Sequence, residues 1–338
     1  MSFKRLDPED FLVSSDAITS TMWSTNLPSL STFFTSSIQE ASSAGNYYLS
    51  IFQTGSTLSN AEVQFEIAYA DSLGSGSTYY NSAVPGVSPT KTIYGQYRSL
   101  ILEDENSNFV FGKGNNILTG SNFWVISLER ARYKQNLLPG SLNLSLSGSG
   151  IQTLQLTDDS VDNPVSQFLG STRVYQLISG SNGTAGTSAT SGYVLGSGSY
   201  GLVFPDLGTI LLNPAAISQS IKISPSRSNN SDGFNSRRLF TSISGAASFT
   251  ANSQETLTSD YVFVRARNSE FNYSENPSFI SGSTGEVIYN QFINAPQVYL
   301  TTIGMYNDSN ELVAVAKMSR PLLKDFTKEA LVRVKLDF

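Results

Sequence analysis

The fold class is decided by the stretch AEVQFEIAYA at residues 61–70, in which apolar and polar side chains alternate. The large apolar positions lie two residues apart and are Val63, Phe65, Ile67 and Tyr69. Successive side chains of a strand point to opposite faces of the sheet. A period of two therefore predicts a strand with one face in the core and the other in water.

Short runs of the same character recur along the chain, each bounded by Gly, Ser or Asn. They are residues 123–128, 142–146, 152–156, 173–178 and 261–266. Residues 193–195 and 200–204 flank the sequence Gly-Ser-Gly-Ser and predict a hairpin. We therefore predict a mainly β fold of antiparallel, sandwich-like sheets with a few short helices and long Ser/Gly-rich loops.

Helical signals are sparse. Asp7 before Pro8 predicts an N-cap with proline in the first turn. Residues 29–40 predict an amphipathic helix, and residues 213–218 predict one further turn. Helices are therefore expected to be short additions to the sheets.

The end of the chain carries the clearest pattern. The apolar runs 298–305 and 311–317 are joined by polar residues that tolerate a positive φ, which predicts a hairpin over 298–317. Pro321, after Ser319 and Arg320, is expected to interrupt the ladder because proline has no N–H to donate. Residues 330–336 alternate again and predict a terminal strand that completes a sheet, within this chain or in a neighbouring copy.

A length of 338 residues predicts several domains. We divide the chain into an N-terminal arm with short helices (1–45), a β domain (46–135), a second β domain (136–235) and a C-terminal β domain (236–338). The second β domain contains the loop insertion 180–192, whose Gly, Ser, Thr, Asn and Ala residues offer no core side chains.

The sequence contains no Cys and no His. Their absence excludes disulfides, thiolate nucleophiles, Cys/His zinc sites, Ser-His-Asp triads and imidazole acid–base catalysis. The glycine-rich segments lack the preceding strand, the glycine spacing and the downstream acidic residue that a dinucleotide-binding site needs. We therefore predict that the chain is not an enzyme and binds no cofactor or structural metal.

Two carboxylate clusters, Glu103-Asp104-Glu105 and Asp158-Asp159, keep an alternative open. Paired carboxylates can hydrolyse glycosidic bonds, and clustered ones can bind Ca²⁺. Adjacent acids in turns are more commonly solvated, and we favour that interpretation for both clusters.

Charged residues make up 14% of the chain, well under the roughly 25% of an average domain. A net charge of −6 argues against nucleic acid as a partner, and no apolar run is long enough to span a membrane. The last 28 residues are basic, with six Lys or Arg against four Asp or Glu. This asymmetry could orient head-to-tail contacts, or it could reflect ordinary edge-strand lysines.

Aromatic residues cluster near Gly, Ser and Asn turns, at Tyr47-Tyr48, Tyr79-Tyr80, Tyr94, Tyr97 and Phe123-Trp124. Most are expected to form core or subunit contacts. Binding of a sugar or a receptor is the alternative, since Tyr and Trp provide large contact areas at low entropy cost.

The segment TIGMYNDSNELVAVAK at residues 302–317 resembles a phrase found in phage tail and collar-fibre proteins. Residues 299–338 as a whole resemble the carboxy-terminal part of virion structural proteins of large tailed bacteriophages, notably T4-like phages of marine cyanobacteria. Residues 34–39 and 129–140 resemble the same group.

This resemblance implies a structural subunit of the virion, in the tail, baseplate or neck, made in the host cytoplasm. Its expected partners are copies of itself and other virion proteins. A receptor- or glycan-binding adhesin is the alternative, and a head decoration protein is a further one. The expected assembly residues lie near the chain end and are Tyr299, Tyr306, Lys317, Arg320, Pro321, Val332, Val334, Leu336 and Phe338.

Overall fold

The structure is a computed structural model that describes residues 4–37, 47–77, 83, 88–149, 152–186, 192–229, 231, 233–274 and 276–337. The chain divides into two compact units. Residues Ile18–Glu255 form the first, called here the core unit. Residues Met1–Ala17 and Thr256–Phe338 form the second, called here the terminal unit.

The described strands are short and numerous, which confirms a mainly β fold. They are β1 (Phe11–Thr21), β2 (Ser29–Leu30), β3 (Leu49–Phe52), β4 (Val63–Asp71), β5 (Phe109–Lys113), β6 (Asn116–Gly120), β7 (Asn122–Leu128), β8 (Asn136–Leu137), β9 (Asn143–Ser147), β10 (Thr153–Asp158), β11 (Gln167–Leu169), β12 (Thr172–Ser181), β13 (Thr184–Ala185), β14 (Gly201–Phe204), β15 (Thr209–Leu212), β16 (Phe249–Thr250), β17 (Asn252–Ala266), β18 (Val298–Tyr306), β19 (Leu312–Lys324) and β20 (Ala330–Asp337).

The helices within the described residues are short, with 5 to 13 residues each. They are α1 (Pro89–Tyr97), α2 (Pro214–Ile221), α3 (Phe234–Ala246) and α4 (Asn290–Asn294). A π turn at Arg98–Leu102 extends α1, and 3-10 turns lie at Pro8–Asp10 and Arg130–Arg132.

The core unit is built on one large antiparallel sheet. Its main path runs β2-β16-β9-β10-β12-β14-β15-β7-β4-β3, and β11 and β13 pair with β12. The pair β7–β15 places Ile126 opposite Ile210. The predicted domains 46–135 and 136–235 therefore contribute strands to the same sheet, and the boundary predicted between them falls inside it.

Both faces of this sheet are buried. On one face, a core containing Phe65, Ile126 and Leu144 packs with residues of α2 and α3. On the other face, a second core forms around Phe123 and Val125 with residues of α1 and of the β5–β6 hairpin. The sheet is thus covered by helices on one side and by a helix and a hairpin on the other.

Strand β4 confirms the strand predicted over residues 61–70, but the face that was expected in water is largely buried. Phe65 and Ile67 lie in the first core as expected. Ala68 and Ala70, expected on the solvent side, lie in the second core, and Gln64 is fully buried. The small alanines allow α1 to approach this face, so the strand is buried on both sides.

The hairpin predicted over 193–204 is wrong. Residue Val194 forms only an isolated bridge with Gly198, whereas β14 pairs with β12 on one side and β15 on the other. The apolar residues of β14 pack with the residues of these two flanking strands instead.

The loop insertion predicted over 180–192 begins with a short hairpin, in which Gly180 of β12 lies opposite Ala185 of β13. Residues 187–191 lie outside the described residues.

The helix predicted over 29–40 is wrong for residues 29–36, whereas Ser37 is helical and residues 38–40 lie outside the described residues. Leu30 lies in β2 opposite Phe249, and Phe34 bridges to Phe52. Its apolar residues pack against strands, which outweighs their helical spacing. The predicted turn at 213–218 is confirmed as α2, whose cap Asn213 accepts a hydrogen bond from the Ala215 N–H. Pro8 begins the 3-10 turn as expected.

Most of the sheet β1-β17-β20 lies in the terminal unit, and β8 also pairs with the first residues of β17. Strand β20 pairs with β17 from Ala266 opposite Ala330 to Ser259 opposite Asp337. The prediction that the terminal strand completes a sheet is confirmed within its own chain. Its alternation is also confirmed, since Ala330 and Val334 are buried while Arg333 and Lys335 are exposed.

Strands β18 and β19 form the predicted hairpin, and no further strand pairs with it among the described residues. The second strand runs past the predicted end to Lys324. Leu300 faces Leu322 and Thr302 faces Lys317, so residues 318–321 form a bulge. The expected interruption at Ser319–Pro321 is therefore a register shift and not the end of the strand.

Candidate assembly surface

The predicted assembly residues lie in the terminal unit, where they divide into two groups. The first group is exposed on the hairpin β18–β19 and consists of Tyr299, Tyr306, Lys317, Arg320 and Pro321. The second group lies on the more buried face of β20 and consists of Val332, Val334 and Leu336. Phe338 lies outside the described residues. The first group could contact a partner directly, whereas the second holds β20 in its sheet.

Apolar side chains are distributed very unevenly between the two units. Of the 51 buried apolar residues in the described chain, 47 belong to the core unit. The terminal unit holds the remaining four, which are Val262, Ala266, Ala330 and Val334. Of the 28 exposed large apolar residues, however, 15 belong to the terminal unit. Among the described residues, both hydrophobic core clusters lie wholly in the core unit.

This distribution is unusual for a unit of 17 plus 83 residues. A domain normally folds around a hydrophobic core of its own, and an isolated two-stranded hairpin is only marginally stable in water. Contiguous exposed apolar surface in a soluble chain marks an interaction site. The terminal unit therefore exposes more large apolar side chains than it buries.

The exposed face of the hairpin is mainly apolar. It carries Tyr306, Leu312, Val313 and Val315, followed along β19 by Lys317. Gly304 lies beneath this face, where an added Cβ would stand 3.1 Å from the Tyr306 ring and 3.3 Å from the Leu312 side chain. The absent side chain lets Tyr306 and Leu312 close over the strand, which makes the face continuous.

Strand β1 forms a second exposed surface at the edge of the sheet β1-β17-β20. Ten of its eleven residues are exposed, so both of its faces are open to solvent. Phe11, Leu12 and Val13 are each at least half exposed. The sequence did not predict this strand, because a strand exposed on both faces has no amphipathic pattern.

The base of the hairpin is held by Lys324, a residue that sequence reasoning also missed. Its side chain is fully buried, and its Nζ donates to Asn272 Oδ1 at 2.6 Å and to the carbonyls of Asn268 and Asp325, each at 3.0 Å. Three acceptors satisfy the three N–H donors of the ammonium group. Lysine is normally exposed, so no sequence signal distinguishes this one.

The turn between β19 and β20 is fixed by Asp325. Its carboxylate accepts hydrogen bonds from the Thr327 hydroxyl at 2.6 Å and the Thr327 N–H at 2.9 Å. These bonds, with a smaller contribution from Lys328, lower the pKa of Asp325 to about 2. The carboxylate therefore stays ionised and keeps the turn closed at any neutral or mildly acidic pH.

An open cleft is formed by residues of the long segment 267–297, which joins β17 to β18 along the chain and contains α4. It is lined by three aromatic rings, Phe279, Tyr289 and Phe292, with Ser278, Gln291 and Ala295. The Phe279 centroid lies 5.8 Å from that of Tyr289 and 5.5 Å from that of Phe292. The described lining contains no charged residue, which leaves an aromatic surface edged by a hydroxyl and an amide.

The carboxylate candidates serve local structure. Glu103 accepts from the Ser171 hydroxyl and N–H, and these bonds lower its pKa. Asp104 accepts from the Asn106 N–H and the Ser107 hydroxyl, and its pKa is lowered chiefly by Ser107. Both are exposed turn residues, as expected.

The solvated turn predicted at Asp158-Asp159 is wrong, because both residues are buried. Asp159 pairs with Lys113 at 2.6 Å and accepts from the Gln176 N–H at 2.8 Å. Asp158 accepts from the Gly140 and Ser160 N–H groups, and burial raises its pKa. These carboxylates tie loops to the sheet.

Within the described ranges, no group of three or more Asp or Glu residues is placed to hold a metal ion. No helix in that part of the chain is long and apolar enough to cross a lipid bilayer.

Most of the aromatic residues singled out in the sequence belong to the core. Tyr94, Tyr97, Phe123 and Trp124 are buried, which confirms the core interpretation for them. Tyr47 is exposed, and Tyr79-Tyr80 lie outside the described residues. Comparison of the chain with family models, with curated proteins and with solved structures found no match.

Proposed function

We propose that this chain is a structural subunit of a tailed-phage virion, in its tail, baseplate or neck, which assembles through its terminal unit. Its partners are copies of itself and other virion proteins, and it reaches the particle after synthesis in the host cytoplasm. The observation that carries the proposal is the terminal unit, which holds four of the 51 buried apolar residues and 15 of the 28 exposed ones. The resemblance of residues 299–338 to virion proteins supports the same assignment.

The exposed apolar residues of the terminal unit favour association when a partner buries them. Burying a half-exposed side chain of this size gains on the order of 1 kcal/mol. Fifteen of them could therefore offset the roughly 4–15 kcal/mol that association costs in translational and rotational freedom. A chain of low charge also brings few desolvation penalties to such a contact.

The proposal is tested on the purified full chain and on virus particles. Sedimentation velocity over a range of concentrations should show a concentration-dependent oligomer. Electron microscopy of virions decorated with antibodies against the chain should show labelling at a defined position of the tail, baseplate or neck. A chain that stays monomeric at high concentration, together with unlabelled virions, would contradict the proposal.

A second candidate function, the binding of a host surface glycan, is favoured by the cleft of Phe279, Tyr289 and Phe292. Sugar rings pack against aromatic faces, and the hydroxyl of Ser278 and the amide of Gln291 can hydrogen-bond to sugar hydroxyls. Tyr289 is the most suitable platform because its ring is more than half exposed.

This function is tested with a glycan array probed by the purified chain. Tyr289→Ala should abolish any signal, whereas Tyr47→Ala, which removes an exposed tyrosine from the core unit, should leave the signal unchanged. An array without signal, or a signal that survives Tyr289→Ala, would exclude the cleft as a glycan site.

A further inference from the structure

We propose that the hairpin β18–β19 of one copy docks on strand β1 of a second copy, in a head-to-tail contact. The inference rests on the proposed structural function and names the partner of the surface described above. The hairpin and residues Phe11–Ala17 of β1 belong to the terminal unit.

The two edges of the sheet β1-β17-β20 differ in their protection. Strand β20 carries Arg333 and Lys335 along its length, and edge-strand cations of this kind discourage pairing with another chain. Strand β1 has neither Lys nor Arg, and its single charged residue is Asp16. Within the described residues its only strand neighbour is β17. The sheet therefore has one protected edge and one edge that can accept a further strand.

The charges at the two surfaces are opposite. Asp7, Glu9 and Asp10 precede β1 and Asp16 lies on it, with no cation between them. Of the two cations before Asp7, Lys4 pairs with Glu270, and Asp16 lies within electrostatic range of Lys335 of its own chain. Lys317 and Arg320 are exposed on β19 beside the apolar face. In the part of the chain that the structure describes, neither cation forms an ion pair, and neither do Asp7 and Glu9. Such charges add little affinity individually, but they select the partner and the register of the contact.

The surfaces also match in length and chemistry. Strand β1 has 11 residues and β18 has 9, which correspond to about 30–36 Å at 3.3 Å per residue. Phe11, Leu12 and Val13 would meet the apolar hairpin face around Val313 and Val315. The contact would thus bury apolar side chains on both sides and bring acidic residues to basic ones.

A contact between two different surfaces repeats from copy to copy. Such heterologous interfaces close into rings when the rotation permits and otherwise form filaments. A contact that repeats from copy to copy in this way is consistent with the proposed structural function.

Charge reversal tests the contact on the full chain. The hairpin variant is Lys317→Glu/Arg320→Glu, the strand variant is Glu9→Lys/Asp16→Lys, and the control Lys134→Glu/Arg238→Glu reverses two exposed cations of the core unit. Each of the first two variants alone should associate at least tenfold more weakly than the wild type in sedimentation velocity. The control should associate like the wild type, and circular dichroism should show the same fold for all chains.

An equimolar mixture of the hairpin and strand variants should regain assembly, because each reversed hairpin then meets a reversed strand on the other chain. If the wild type associates and both variants associate as strongly as the wild type, the proposed contact is overturned and the structural function remains in place. If the hairpin variant does not associate while the strand variant associates normally, the hairpins contact each other, and the proposed contact between hairpin and strand is also overturned. A wild type that neither associates nor occurs in virions would contradict both proposals.

Discussion

Lys324 Nζ lies 2.6 Å from Asn272 Oδ1, and the lysine side chain that reaches it is fully buried. The same ammonium group also binds the carbonyls of Asn268 and Asp325. These hydrogen bonds join the end of β19 to the loop that follows β17. The three acceptors are an amide oxygen and two backbone carbonyls, so the hairpin is positioned by a buried cation that binds neutral oxygens.

Replacing this lysine should loosen the base of the hairpin. Lys324→Met keeps the length of the side chain but leaves three acceptors without their donor, each at a cost of about 1–3 kcal/mol when it stays buried. Hydrogen exchange of residues 268–274 and 318–324 should become at least tenfold faster. Lys317→Met, which removes an exposed lysine from the same strand, should not change that exchange. Equal protection in both variants would show that Lys324 does not hold the hairpin.

A charge in the apolar hairpin face should prevent assembly without unfolding the chain. Val315 is 57% exposed, so Val315→Asp places the carboxylate in water in the monomer and in an apolar contact in the oligomer. Association measured by light scattering should weaken at least tenfold, which corresponds to about 1.4 kcal/mol. Leu195→Asp changes a residue of the core unit that is 80% exposed and should have no effect. Equal weakening by both changes would contradict a specific role of the hairpin.

Asp158 should impose a pH dependence on the stability of the core unit. Burial raises its pKa above the ordinary value of 3.8, so the folded chain holds the proton more tightly than the unfolded chain. Its contribution to stability is complete below pH 3.8 and is lost as the pH rises through the folded pKa. Urea unfolding of Asp158→Asn should therefore show a stability that increases, relative to the wild type, between pH 4 and neutral pH. A difference that stays constant over this range would show that Asp158 has no raised pKa.

Gly112 should be far more sensitive to substitution than its neighbour Gly114. Both have a positive φ, of 108° and 60°. A Cβ at residue 112 would lie 2.1 Å from the Asn116 carbonyl oxygen, whereas one at residue 114 would have nothing within 4 Å. Gly114→Ala should cost about 1 kcal/mol of unfolding free energy from backbone strain alone, and Gly112→Ala should cost several times more because β5 and β6 must separate. Equal losses in chemical denaturation would contradict this difference.

Predictions from the sequence succeeded where a local pattern was sufficient. The hairpin over 298–317 was predictable because two apolar runs flank residues that favour a turn, and β20 was predictable because its alternation is regular. The helix expected over 29–40 failed because the spacing of Leu30 and Phe34 fits either a helix or strands, and distant partners decided for strands.

The candidate surface was only partly predictable. Tyr306 and Lys317 were identified from the terminal hairpin and are exposed there. Strand β1 was not identified, because a strand exposed on both faces has no amphipathic pattern. Asp158 and Asp159 were expected in water, since a pair of adjacent acids carries no sign of the backbone N–H groups that enclose it.

The mainly β class, the terminal hairpin and the last strand were predictable without a structure, because side-chain alternation and turn residues act within a few positions of one another. Three features follow only from the packing of the whole chain: residues 46–135 and 136–235 share one sheet, Lys324 and Asp158 are buried, and many apolar side chains of the terminal unit face solvent. These features depend on which distant segments meet, since burial is a property of the packed chain and not of any one segment.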